Sequence, residues 1–295
     1  MREILVLGGT RFFGKKLVSR LIQHPDNHVT LLTRGNAHDD FGDKVSRLRA
    51  DRSDPKQLED VLGSSSWDIV YDNICYSPND ALTAQSLFKG RTARYILTSS
   101  MSVYDPSPEA LTEAVFDPYR HPLRRGDRDD FTYQEGKQLA EAVLLQQSGF
   151  PVSAVRFPIV LGEDDYTRRL HFHIEHIRNG DPIGVPNLDA RMSFITSDEA
   201  ADFLNKLGCS TLTGPVNACS GGTVSIREVI AMIERETGQR AEVCSEAPEE
   251  HISPFGVEES WYMDTAYAQK AGFAFRELTE YLPALIASIN LKLNS

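Results

Sequence analysis

The stretch Ile4-Leu-Val-Leu-Gly-Gly-Thr-Arg-Phe-Phe-Gly14, followed by Lys15 to Ile22, constrains this chain more than any other. Four consecutive apolar residues predict a short strand buried on both faces. Small residues then force a tight turn, and Leu17, Val18, Leu21 and Ile22 recur at helical spacing. A strand that turns through glycines into a helix points bare backbone N–H groups, and the positive end of the helix, at one place. That arrangement is a phosphate cradle. Gly8 and Gly9 admit close approach of a pyrophosphate, and Gly14 lets the helix lie on the strand. Arg11 stands where the usual fingerprint has its middle glycine, so the stretch alone also fits a plain strand-turn-helix corner.

The downstream pattern decides between the two. His28–Leu32, Val45–Leu48, Trp67–Tyr71, Ala93–Thr98 and Phe150–Arg156 predict five further strands. Helices are expected between them, one capped by Asp54 with Pro55 at its first position, one over Asp80–Phe88 and one over Thr132–Gln147. Such alternation predicts an α/β fold, a doubly wound parallel Rossmann sheet with a smaller, interleaved C-terminal α/β cap. Residues 1–165 are assigned to the dinucleotide-binding domain, with 190–220 returning to it, and 166–189 and 221–295 to the cap. The cap region carries helical patterns over Arg168–Arg178, Asp198–Leu207, Ile226–Thr237 and Glu277–Leu291, and short strands near Pro182–Val185 and Met192–Ile195. The Pro- and charge-rich connection from Tyr104 to Phe131 is long enough to be a functional or mobile loop.

At 295 residues the chain can bury a full core. No apolar run approaches the roughly 20 residues of a membrane span, and the opening residues do not read as a signal peptide, so a cytoplasmic location is expected. The four cysteines, Cys75, Cys209, Cys219 and Cys244, form no C-x-x-C pair, and neither zinc nor a disulfide framework is expected. His171-Phe-His173-Ile-Glu-His176 invites a metal reading, but His171 and His173 diverge on a helix, so no metal is assigned. Asp127, Asp129 and Asp130 read as a solvated loop; Arg168 and Arg169 read as the exposed start of a helix, with contact to an anionic substrate as the alternative. A net charge of −11 makes nucleic-acid binding unfavourable, because that binding rests on Lys and Arg at phosphates.

The chemistry centres on Tyr133-Gln-Glu-Gly-Lys137 and on Ser100 at the end of the fifth strand. Tyr and Lys at i and i+4 share a helical face. An ammonium beside a phenol favours the phenolate, the form a general base needs. A serine hydroxyl nearby can align a reacting hydroxyl or carbonyl. Carboxyl ends of parallel strands are where such sheets place ligands, and Ser100 falls there. The end of the second strand, Thr33-Arg34, carries no carboxylate to repel a 2′-phosphate, and Arg34 with Arg11 suits one, so NADP(H) is expected over NAD(H). Asp51 and Arg52 are expected at the adenine edge, and Asn73 where the fourth strand meets the cofactor.

With these residues in view, nearly the whole chain resembles the extended or atypical short-chain dehydrogenases/reductases, the NAD(P)-dependent epimerase/dehydratase group. Leu97-Thr-Ser-Ser-Met-Ser-Val-Tyr104 resembles the family's serine-bearing segment, and Tyr133 and Lys137 match its catalytic pair. Arg156-Phe-Pro-Ile-Val-Leu-Gly162 is similar to its R-x-P-x-x-x-G segment, and Arg191-Met-Ser-Phe-Ile-Thr-Ser-Asp198 to the segment that places an arginine on a substrate diphosphate. The variants Gly-Gly-Thr-Arg-Phe and Leu-Leu-Thr-Arg-Gly look closest to a subgroup that includes plastid stem-loop RNA-binding proteins.

The resemblance implies Ser100, Tyr133 and Lys137 as the catalytic set. It implies Gly8, Gly9, Thr10, Arg11, Phe12, Phe13, Gly14, Thr33, Arg34, Asp51, Arg52, Asn73, Tyr133, Lys137 and Phe157 at the cofactor, and Arg191 and Ser100 at the substrate. The implied substrate is a sugar or sugar-nucleotide, acted on by hydride transfer as in an epimerase, dehydratase or reductase, and a homodimer is implied. No second diphosphate-binding arginine appears between Ser245 and Tyr262. The rivals are a non-catalytic RNA-binding or regulatory protein on the same fold, and a redox sensor that holds NADP(H) without chemistry.

Overall fold

β1 (Arg2–Leu7) runs through the interior of a parallel sheet, its residues Ile4 to Leu7 wholly buried. Ile4 and Val6 feed the core on one face of the sheet, Leu5 and Leu7 the core on the other, which is why the run is apolar without alternation. In this computed structural model residues 1–294 are described. After β1 come α1 (Phe12–Leu21), β2 (Asn27–Thr33), β3 (Ser46–Arg49), α2 (Pro55–Leu62), β4 (Ile69–Asp72), α3 (Pro78–Phe88), β5 (Tyr95–Ser100), α4 (Tyr133–Gln147) and β6 (Val152–Phe157). Then follow β7 (Ile159–Leu161), α5 (Arg169–Asn179), β8 (Pro182–Gly184), β9 (Arg191–Met192), β10 (Phe194–Thr196), α6 (Ser197–Gly208), β11 (Gly214–Asn217), β12 (Val224–Ser225), α7 (Ile226–Thr237), β13 (Glu242–Cys244), α8 (Ala266–Lys270) and α9 (Leu278–Lys292).

The central sheet has seven strands in the order β11-β6-β5-β4-β1-β2-β3, every pair parallel. The order reverses between β1 and β4, which opens a crevice at their carboxyl ends. Helices α1 and α6 cover one face, with Leu17, Val18, Leu21, Phe203 and Leu204 in its core. Helices α2, α3 and α4 cover the other through Leu58, Leu62, Ala84, Phe88, Ala140 and Leu144.

Caps set the helix starts. Asp54 accepts from the amides of Lys56 and Gln57 ahead of Pro55, and capping boxes pair Ser77 with Asp80, Thr132 with Glu135 and Ser225 with Glu228. A third core, built from α5, α7, α9, β8 and the Phe255 segment, lies beyond the sheet. Met192–Ile195 is not one strand. It breaks at Ser193 into β9, paired with β12, and β10, paired with β7.

Candidate active site

The turn after β1 is built as the cradle requires. Gly8 has φ +78°, and a Cβ on Gly14 would stand 2.7 Å from the Gly8 carbonyl oxygen. Arg11 keeps an extended backbone, φ −135°, so replacing the middle glycine causes no strain there. The left-handed residue is Phe12, φ +50°. The first turn of α1 holds no acidic residue to compete with a phosphate. Asn73 fixes the turn, donating to the Gly8 carbonyl at 3.0 Å and accepting from Thr98 Oγ1 at 2.7 Å.

Around this turn lies a groove of about 920 Å3. Gly8, Thr10, Arg11, Phe12, Phe13, Gly14, Thr33, Arg34, Asp51, Arg52 and Asn73 all line it. Gly9 does not. It is a packing glycine, whose Cβ would stand 2.7 Å from Val18 Cγ2. Arg52 is buried and ion-paired to Asp72 at 2.9 Å; burial opposes its charge most strongly, but Asp72 together with Cys75, Tyr95 and Asp80 outweighs it and raises its pKa. Its Nε and Nη1 have no protein partner. Arg11, Arg34 and Arg128 also line the groove, and none of the three pairs with a carboxylate among the described residues. Unpaired guanidiniums, bare helix amides and glycines with no room for a Cβ fit a dinucleotide with its phosphates.

A second cavity, about 210 Å3, adjoins it and shares Phe12, Phe13, Asn73 and Tyr76 as lining. Ser100, Tyr133, Lys137 and Phe157 line it together. Tyr133 opens α4, held by the Thr132–Glu135 box, and is half exposed. Lys137 is buried, its Nζ donating to the carbonyls of Cys75 at 2.8 Å and Thr98 at 2.9 Å. Gly136 makes that approach possible, because a Cβ there would stand 2.4 Å from the Tyr76 carbonyl oxygen. The Lys137 ammonium lies 4.5 Å from the Tyr76 ring centre and 5.9 Å from that of Tyr133. Burial, then the neighbouring Tyr133, pushes the Tyr76 phenol well up, so it stays neutral. Ser100 Oγ exchanges hydrogen bonds with Ser102, accepting from its amide at 3.1 Å.

Arg191 is not brought to this cavity. Its Nε and Nη2 donate to Thr223 at 2.7 Å, and Glu228 lies 3.6 Å away. Arg169, Tyr166, Asp165 and Trp261 line the cavity instead. The sequence reading placed Arg169 at a helix start, with contact to an anionic substrate as the alternative, and did not single out Tyr76, Gly136, Arg128 or Trp261. The signal for Gly136 was its place inside Y-x-x-x-K, where a helix tolerates glycine only for a reason.

The histidines of α5 are engaged in packing. His173 bonds the Arg169 carbonyl at 2.9 Å and Ser253 Oγ at 2.8 Å, and its ring stacks on Phe255. Among the described residues no three His, Cys, Asp or Glu side chains gather to hold a metal ion. No helix of the described residues is long and apolar enough to cross a membrane.

Known structures share the architecture. UDP-glucose 4-epimerase of Thermotoga maritima, solved with UDP-glucose, superposes with a TM-score of 0.76 at 15% identity, covering 99% of this chain and 100% of that one. UDP-glucose 4-epimerase of Thermus thermophilus, solved with NAD, gives 0.72 at 17% identity over 97% and 98% of the two chains. UDP-N-acetylglucosamine 4-epimerase of Methanobrevibacter ruminantium gives 0.71 at 19% identity over 99% and 98%. Identities this low carry the fold alone. No curated protein sequence matches the chain. Residues 4–208 match the family described as the NAD dependent epimerase/dehydratase family, and the chain belongs to it.

Proposed function

We propose that the protein is an NADP(H)-preferring enzyme that moves hydride to or from an oxygen-bearing carbon of a sugar or sugar-nucleotide. The observation that carries this reading is the meeting of Ser100, Tyr133 and Lys137 in one cavity, joined through Phe13, Asn73 and Tyr76 to a groove with three unpaired arginines. The glycine turn, Thr33, Arg34, Asp51 and Arg52 hold the dinucleotide, and Arg11 and Arg34 read the 2′-phosphate. When bound, the nicotinamide supplies or accepts the hydride. Tyr133 Oη takes or returns the proton of the reacting hydroxyl, with the buried Lys137 ammonium 5.9 Å from its ring centre. Ser100 Oγ aligns that hydroxyl, sharing its hydrogen bonds with Ser102. The substrate's anionic part, if it has one, meets Arg169 rather than Arg191, since only Arg169 lines the cavity.

The UDP-sugar 4-epimerases of the same fold support a sugar-nucleotide class, and the sequence variants of the glycine turn support the atypical subgroup. A homodimer and a cytoplasmic location complete the reading. Calorimetric titration of the purified chain tests the cofactor choice. NADP+ is expected to bind at least about tenfold more tightly than NAD+, and tighter NAD+ binding overturns the preference. Mass spectrometry of co-purifying small molecules tests the substrate class.

A further inference from the structure

The segment between β5 and α4 sends Asp127, Arg128 and Asp129 into the lining of the cofactor groove, and Arg128 is the one cation among them. Its stretch 126–130 is fastened to the start of α3 on both sides. Asn79 donates from its amide to the Gly126 carbonyl at 3.2 Å, accepts from the Gly126 amide at 3.2 Å, and donates through Nδ2 to Asp127 Oδ1 at 2.9 Å. Asp127 and Asp130 then box a single 3-10 turn, Arg128–Asp130, the Asp127 amide donating to Asp130 Oδ2 at 2.7 Å. The turn presents Arg128 to the groove, with its guanidinium carbon 4.9 Å from the centre of the Tyr76 ring. Arg128 forms no ion pair among the described residues, although Asp127 and Asp129 line the same groove; the Asp127 carboxylate is taken by Asn79 and its own capping box instead. In a chain of net charge −11, an arginine laid on an aromatic ring and left without a carboxylate is held for an anion.

Position says which anion. Tyr76 lines both the groove and the Ser100–Tyr133–Lys137 cavity, and its ring lies 4.5 Å from Lys137 Nζ and 6.3 Å from the Tyr133 ring. Arg128 therefore stands on the β4 side of the crevice, toward the reacting end. Arg34 and Asp51 follow β2 and β3, at the other end. A 2′-phosphate belongs to the second place, and the diphosphate to the space between the glycine turn and Tyr76.

We propose that Arg128 is the side-chain clamp for the cofactor's diphosphate, aimed by the Tyr76 ring, and that it closes the groove opposite the glycine turn. The proposal rests on the reading that the groove takes a nicotinamide dinucleotide. Tyr76 is a positioning residue. Through it the occupied diphosphate site touches the Lys137 end, so cofactor binding and the order of the second cavity are linked.

The test is calorimetric titration of the full chain with ADP, which carries the diphosphate, and with 2′-AMP, which carries only the 2′-phosphate. NAD+ and NADP+ are titrated beside them. Loss of a charge-assisted bidentate contact predicts that Arg128→Ala weakens ADP, NAD+ and NADP+ by about tenfold or more, while 2′-AMP changes less than about twofold. Arg128→Lys recovers part of the ADP affinity, Tyr76→Ala loses part of it, and Tyr76→Phe keeps it. Arg128 is exposed, and an unchanged melting temperature checks that the variant is folded. ADP affinity unchanged in Arg128→Ala, or an equal loss for 2′-AMP, overturns the proposal alone. Failure of the wild-type chain to bind NAD+, NADP+ or ADP overturns the dinucleotide reading and the proposal with it.

Discussion

Arg156 lies wholly buried against an equally buried Glu141, 2.6 Å away. Its remaining donors reach Tyr104 Oη at 2.7 Å and the carbonyls of Glu113 and Phe116, which ties β6 and α4 to the long connection after β5. Ser99 Oγ donates to the same carboxylate. Truncation leaves Glu141 buried and uncompensated, so Arg156→Met is expected to cost about 3–5 kcal/mol in urea denaturation, and adding Glu141→Leu to restore part of it. In the sequence Arg156 was visible only as part of a resembling segment, and its partner 15 residues upstream carried no signal.

Arg11 was legible as a departure but not as a harmless one, because the sequence does not show that the left-handed turn falls on Phe12. At the end of β2, Arg34→Ala is predicted to lower NADP+ affinity about tenfold while changing NAD+ less than twofold, measured by titration. Equal losses for both would place Arg34 away from the 2′-phosphate.

At the scale of elements, strong periodicity and caps made the long pieces readable. The α2 start at Asp54-Pro55 and the capping box of α4 are written in consecutive residues. The short strands were not. β11 holds Gly214 and Pro215, residues that weaken a strand reading, and the fold accommodates them because β11 is the edge of the sheet. β7, three residues long and directly behind Pro158, pairs with β10, which follows more than 30 residues later, and buries Val160 and Leu161 in two different cores.

Helix α5 has a pH dependence of its own. Burial pushes the His173 imidazole down to about 4 from an ordinary 6.5. The neutral ring is favoured in the folded state, so its contribution is complete above about pH 6.5 and is lost as pH falls toward 4. The loss is about 3 kcal/mol across that window. Denaturant titrations at stepped pH check it. His173→Phe, which keeps a ring against Phe255, is expected to lack this part of the acid destabilisation, and an identical pH slope in both proteins would contradict the assignment.

Across the whole molecule, the parallel order follows from strand-helix alternation, and the strand reversal beside β1 puts the crevice where the glycine turn is. Which distant side chains enter the crevice and the cavity beside it was not legible, since Arg128 and Trp261 arrive from connections, and Arg169 from the first residue of α5, whose placement depends on tertiary contacts. Arg191, placed by resemblance, is held by Thr223 and Glu228 instead. The net charge of −11 carries a prediction for the RNA-binding alternative: at physiological salt no submicromolar RNA affinity is expected in a mobility-shift titration. Submicromolar binding, with no turnover, would reverse the preference for an enzyme.

The most direct test of the central claim is rapid-mixing absorbance of the bound nicotinamide in wild-type and Tyr133→Phe protein, each loaded with cofactor and mixed with UDP-sugars. The wild-type protein is predicted to show a transient change in nicotinamide redox state with at least one of them. In Tyr133→Phe the rate is expected to fall by about 100-fold or more, with cofactor affinity kept. An unchanged rate in Tyr133→Phe would contradict the assignment of Tyr133 as the group that moves the proton.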